Sequence, residues 1–184
     1  MKHLLTIILA LTCATLHAQT VIIKGTGAGS VRGTGAGSVR GVATEAVPTT
    51  YTNYCDGRFT IFNTNQDVVL DNDSGRTWVR DANIDGTKNW TNAIAYCSNL
   101  TYATYSDWRL PSLTEFSRGY ATNGLVDEAY SANDPALPLG HPFTSVQSAS
   151  YWTSIQYTAI DAKDGQRDLI DETFALYVWP CRGL

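Results

Sequence analysis

The sequence predicts an α+β domain, and three observations predict it. Short β-branched and aromatic runs separated by turn residues open and close the region after residue 50. Two helical patterns lie together between those runs, and a long segment rich in Gly, Ala, Asn, Ser and Pro follows the second helix. Helices and strands are thus segregated along the chain, unlike the alternation of a βαβ plan.

The first element is a leader. MKHLLTIILALTCATLHA places Lys2 before an apolar run from Leu4 to Leu11 and ends in small and polar residues at Ala18. Residues 1–18 fit a secretory signal peptide and are too short for a membrane anchor, so a secreted, extracellular or cell-surface location is expected. Lipid attachment at Cys13 is the weaker alternative, because Ala10 and Thr12 are a poor context for it. Residues 19–50 form a Gly-rich arm in which the octapeptide GTGAGSVR occurs twice without change, from Gly25 to Arg40. Glycine does not fall at every third position, which excludes a collagen triple helix. The composition suits a flexible linker. Small residues alternating with glycine after the β-branched TVIIK also suit a strand, which would let copies self-assemble through residues 19–41.

The globular domain is expected over 51–184. GRFTIFN, DVVLD and RTWVRD read as strands, with DNDSG as the turn between the last two. Asn89 is a candidate N-cap for a helix in which Trp90, Ala93, Ile94 and Cys97 share one face. Ser112 and Glu115 have capping-box spacing, with Leu113 and Phe116 facing the core of a second short helix. YWTSIQ, YTAID and FALYVWPCRG close the domain as strands, with KDG at Lys163–Gly165 as a tight turn. No run after the leader is long and apolar enough to form a transmembrane segment.

Charge narrows the partners. Without Lys2 the chain keeps 12 of its 13 basic residues against all 17 acidic ones, and the imbalance sits in the domain: the arm carries Lys24, Arg32 and Arg40 against Glu45. An acidic domain is repelled at long range by nucleic acid and by anionic polymers or membranes. A basic arm beside it is compatible with self-association. Beyond the leader three cysteines remain, Cys55, Cys97 and Cys181, which in an exported protein imply one disulfide and one thiol left over.

Few residues carry chemistry that could make a site. Asp81, Asn83, Asp85 and Gly86 match the start of a calcium loop, in which alternate oxygen side chains converge on a hard cation. Its twelfth position is Asn92, where a bidentate glutamate belongs, so the default expectation is no cofactor, with calcium the metal this loop would take. His141 is the only histidine after the leader, and no spacing supports a catalytic triad or a zinc site, so no catalytic residue and no enzyme activity are expected. Trp78, Trp90, Trp108, Trp152 and Trp179 read as core, and Asp107 to Pro111 as scaffold. The turn-rich stretch after residue 118 is either a packed insertion or a recognition loop, in which case Tyr130, Asn133, Asp134 and His141 offer stacking and polar contacts for an unknown glycan or surface protein.

DNDSGRTWVRDAN, NWTNAIAYCSNL, YSDWRLPSLTEF, YWTSI and YVWPCRGL occur together and in order. In these blocks the chain resembles the C-terminal domain family of the Legionella collagen-like adhesin, over about Phe59 to Gly183. The resemblance implies a C-type-lectin-like fold with two short helices and twisted antiparallel strands, and a disulfide between Cys97 and Cys181. Cys55 would then be the odd thiol, either unpaired or linking subunits. It also implies a role in adhesion, though the Glu-Pro-Asn and Trp-Asn-Asp sugar motifs of true C-type lectins are absent. Two functions are therefore expected to compete: a recognition or adhesion module, and a structural subunit of an extracellular filament or sheath.

Overall fold

The computed structural model describes residues 20–22, 50–62 and 64–183. The leader and the octapeptide repeat lie outside the described residues. Two sheets and few helices make a mixed α+β domain, as the segregation of patterns predicts. The first sheet takes β1 (Thr20–Ile22), β2 (Thr50–Tyr54), β3 (Phe59–Phe62), β4 (Asn65–Asp71) and β5 (Arg76–Val79) in sequence order. All pair antiparallel, and β11 (Cys181–Arg182) is added beside β5 with Cys181 opposite Trp78. Thr20–Ile22, part of the arm in the sequence, pairs with β2 so that Ile22 lies opposite Thr50.

The second sheet has the order β6 (Thr87–Lys88), β10 (Leu176–Tyr177), β7 (Ser150–Trp152), β8 (Thr158–Asp161) and β9 (Arg167–Leu169). Its pairings are antiparallel except β10 with β7, where Tyr177 lies opposite Tyr151 in parallel. FALYVWPCRG, which reads as one strand, is two: Val178–Pro180 carry the chain from the second sheet to the first. Pro180 has no N–H to give a ladder, and its carbonyl accepts from Val79 N at 3.1 Å.

Between the sheets lies an aromatic core centred on Trp179. Its ring centroid is 5.0 Å from Phe143, 5.6 Å from Tyr151, 5.7 Å from Trp78 and 5.9 Å from Phe116. The indole N–H donates to Val79 O at 2.8 Å, so the buried polar group is satisfied. Four of the five tryptophans are buried, and Trp90, half-buried, donates to Thr153 O at 3.0 Å. None is left as an exposed platform.

The helices form where their caps put them. α1 (Trp90–Asn99) starts at Asn89, whose side chain accepts from Asn92 N at 2.9 Å. Its inward residues Ala93 and Cys97 are buried in a smaller core with Leu110, Trp152, Ala159 and Val178. α2 (Leu113–Phe116) has the full capping box of Ser112 and Glu115, and buries Phe116 in the larger core.

Candidate functional site

The stretch after residue 118 is a packed insertion. Leu125, Val126, Ala136, Leu137 and Phe143 are buried, and main-chain bonds tie it to both sheets: Ala136 N to Ala162 O at 2.8 Å and Ala82 N to Thr144 O at 2.9 Å. A charged cluster fixes its start. Arg58 donates to Gly124 O at 2.9 Å and Leu125 O at 2.7 Å, while its Nε lies 3.6 Å from both Asp71 and Asp73. Arg118 bonds Asp73 from the other side and Gly124 O at 3.1 Å. Burial pushes the Asp71 carboxyl up, against the pull of Arg58 and the bond from Asp73 N. This clamp escaped sequence reading because its members lie on separate strands and on the loop, with no shared periodicity.

The four ligand candidates divide on that insertion. Tyr130 and Asn133 lie in a 3-10 turn, Glu128–Asn133, and are half-buried; Asn133 spends its Nδ2 on Leu137 O at 2.6 Å. Asp134 is exposed, at a positive φ of 36° before a cis bond to Pro135. His141 is turned onto Phe143, with ring centroids 5.9 Å apart, and burial lowers its pKa to about 4. A neutral half-buried ring on Phe143 is a packing residue more than a contact.

The Asp81 loop closes on itself. Asp81 Oδ1 accepts from Asn83 N at 3.0 Å, Asp85 pairs with Lys88 Nζ at 2.5 Å, and Asn92 belongs to the first turn of α1. Among the described residues no three His, Cys, Asp or Glu side chains gather to hold a metal. Asp81 and Asn83 set a turn, and Gly86, at φ +67°, lets the chain reach β6.

The concave surface lies elsewhere. An open groove of about 730 Å³ runs along the outer face of α1, walled by that face, by β6 and by the segment before β10. Its lining is almost all amide, hydroxyl and methyl: Asn89, Asn92, Asn99, Thr87, Thr101 and Ala95, with Tyr96 at the centre of the helix face. In the sequence these residues look like the solvated side of an amphipathic helix, and only the second sheet's arrival opposite them makes a groove.

A family model, the Lcl C-terminal domain, matches residues 67–182. The chain belongs to the Lcl C-terminal domain family. No curated protein matches it. Membership fits an adhesion-type module in an extracellular or surface setting, and no helix among the described residues is long and apolar enough to cross a membrane. The matched span begins in β4 and ends in β11, so it takes in both helices, the insertion and the α1 groove.

Within this Lcl domain the Asp-Trp-Arg-Leu-Pro block is a joint between the end of the chain and α2. Arg109 exchanges both main-chain bonds with Cys181, at 2.9 and 3.0 Å, and forks onto Glu115 at 2.7 and 2.8 Å. Arg76 adds a second ion pair to Glu115 at 2.6 Å, and Asp107 holds Arg182 at 2.6 Å.

No bond joins Cys97 to Cys181, the pair that the family resemblance implies. Both residues are buried thiols, and no disulfide forms among the described residues. Cys97 is buried in the small core under α1 and Cys181 in the large core, where Arg109 Nη1 donates to its sulfur at 3.4 Å. Burial pushes both thiols up to about 12. Cys55, half-buried at φ +50°, donates to Leu139 O at 3.6 Å and so faces the insertion.

Proposed function

We propose that this protein is a secreted or surface-displayed, non-enzymatic recognition module of adhesion type, with a C-type-lectin-like fold and a glycan or surface protein as its ligand. Membership of the Lcl C-terminal domain family carries the reading. It is supported by a scaffold that spends its reactive groups on structure: Glu115, Asp71, Cys97 and Cys181 are all held by packing or ion pairs. Recognition is independent of calcium, since Asp81 and Asp85 already have partners. A glycan and surface-protein array probed with and without EDTA tests it. Binding that survives EDTA is expected; an array without a single ligand would remove the reading.

A second reading, a subunit of an extracellular filament or sheath, is favoured by one observation. The outer edge of β2 accepts a three-residue strand from the arm, and the same edge on a neighbouring copy offers the same main-chain groups. Electron microscopy of the full chain beside a variant that starts at Tyr51 and so lacks the Thr20–Ile22 strand separates the two. Filaments from the full chain alone would favour assembly; particles of one size from both would eliminate it.

A further inference from the structure

The recognition reading leaves open where a ligand sits, and the outer face of α1 supplies a built place. Asn92, Ala95, Tyr96 and Asn99 recur at i, i+3, i+4 and i+7 and so share that face. The methyl of Ala95 leaves open the space between the two asparagines. Thr87 on β6 and Thr173 before β10 form the far wall of this open groove.

The lining holds no carboxylate, histidine or cysteine, which removes acid–base and nucleophilic chemistry from consideration there. Its one cation, Lys88, is held by Asp85 at 2.5 Å and lies 4.9 Å over the Tyr96 ring, so an anionic ligand meets no uncommitted positive charge. What remain are groups that donate and accept at once. The Asn92 carboxamide and the hydroxyls of Thr87, Tyr96 and Thr101 have no hydrogen-bond partner among the described residues. Asn99 gives its Nδ2 to Ala95 O at 2.8 Å and keeps Oδ1 as an acceptor. Burial pushes the Tyr96 phenol up to about 12, so it stays a donor across the physiological range. Sugar hydroxyls have the same dual character, whereas a peptide strand would find here only the two-residue edge of β6, whose Lys88 carbonyl already accepts from Trp152 Nε1 at 2.7 Å, and a lipid would need an apolar floor.

We propose that the groove along α1 is a binding site for a neutral oligosaccharide, with the side chains of Asn92, Asn99 and Thr87 and the hydroxyl of Tyr96 pairing its hydroxyls. This rests on the recognition reading and names its ligand class and place.

Titration calorimetry and amide chemical-shift mapping of the full chain test it, with cellotetraose, mannotetraose and chitotetraose as neutral probes and a heparin tetrasaccharide as the anionic one. At least one neutral probe should bind and shift the amides of Asn92, Tyr96 and Asn99, while the heparin fragment leaves them unmoved. Asn92→Ala, at an exposed position that keeps the cap N–H, should weaken that probe about tenfold with helical circular dichroism unchanged. Tyr96→Phe keeps the ring and removes the hydroxyl, and should weaken it about threefold or more. Equal affinity in both variants, or shifts confined to residues 128–141, overturns the groove and leaves the recognition reading standing. Failure of every neutral probe, or displacement of one by the heparin fragment, also overturns it; the wider array then decides whether the recognition reading survives.

Discussion

Replacing Glu115 by Gln removes the charge on which the terminal joint converges. Two arginines and the Ser112 N–H meet on this carboxylate, with N···O distances of 2.6 to 2.8 Å. Although burial works against the charged form, the bonds from Arg109 and Ser112 hold its pKa at about 2, against 4.5 for a free glutamate. A depression of that size corresponds to about 3 kcal/mol, and solvent screening at a partly wet site reduces it to about 2 kcal/mol. Because the folded pKa is the lower one, this stability is present above about pH 4.5 and is lost as the pH falls through about 2. In urea melts at pH 7, Glu115→Gln should destabilise the domain by about 2–3 kcal/mol, since Arg76 and Arg109 then face each other with no counter-charge. The gap between variant and wild type should shrink to less than about half by pH 3. A gap within about 0.5 kcal/mol at pH 7, or one that keeps its size to pH 3, would refute this account of the joint.

Gly124→Ala should cost about 2–4 kcal/mol by thermal melting, because an added Cβ would stand 2.2 Å from the Ser117 carbonyl carbon and 2.4 Å from Arg118 N, both main-chain atoms inside the clamp. A melt unchanged by that methyl would show that the start of the insertion is not held as described. His141→Gln should flatten the loss of stability between about pH 6.5 and 4, worth about 1–2 kcal/mol, since the unfolded chain takes up a proton there that the buried ring refuses. Urea midpoints across that window check it, and an unchanged slope counts against it. Iodoacetamide at pH 8 should leave Cys97 and Cys181 unlabelled until denaturant is added, as buried thiols held near 12 expose no thiolate; peptide mass mapping of native and denatured samples reads the difference.

Local patterns carried most of the fold. Asn89 and the Ser112/Glu115 box announce both helix starts because capping is an interaction within four residues. Phe59–Phe62 and Arg76–Val79 are likewise legible along a single segment, from their β-branched and aromatic residues. What stayed hidden depends on distant partners. β6, two residues long, exists because β10 arrives beside it, and Arg58 becomes a clamp only when Gly124 and Asp71 are brought to it. The site candidates show the same divide. Tyr130, Asn133, Asp134 and His141 looked available because they lie in a polar stretch, yet burial and Phe143 claim part of the set. Asn92 and Asn99 looked like solvated surface, and part of the wall that makes them a groove, Thr173 and Ala175, comes from more than seventy positions away.

The pairing of Ile22 with Thr50 changes what the twofold octapeptide can do. Both ends of the segment that contains it are anchored to the same sheet edge, as neighbours across a ladder. Gain or loss of one octapeptide therefore lengthens or shortens a closed connection without shifting either anchor. For an unstructured connection of this size one further copy would change the closure entropy by about 0.2 kcal/mol. One octapeptide more or less is therefore expected to move the stability of the domain by less than about 0.5 kcal/mol.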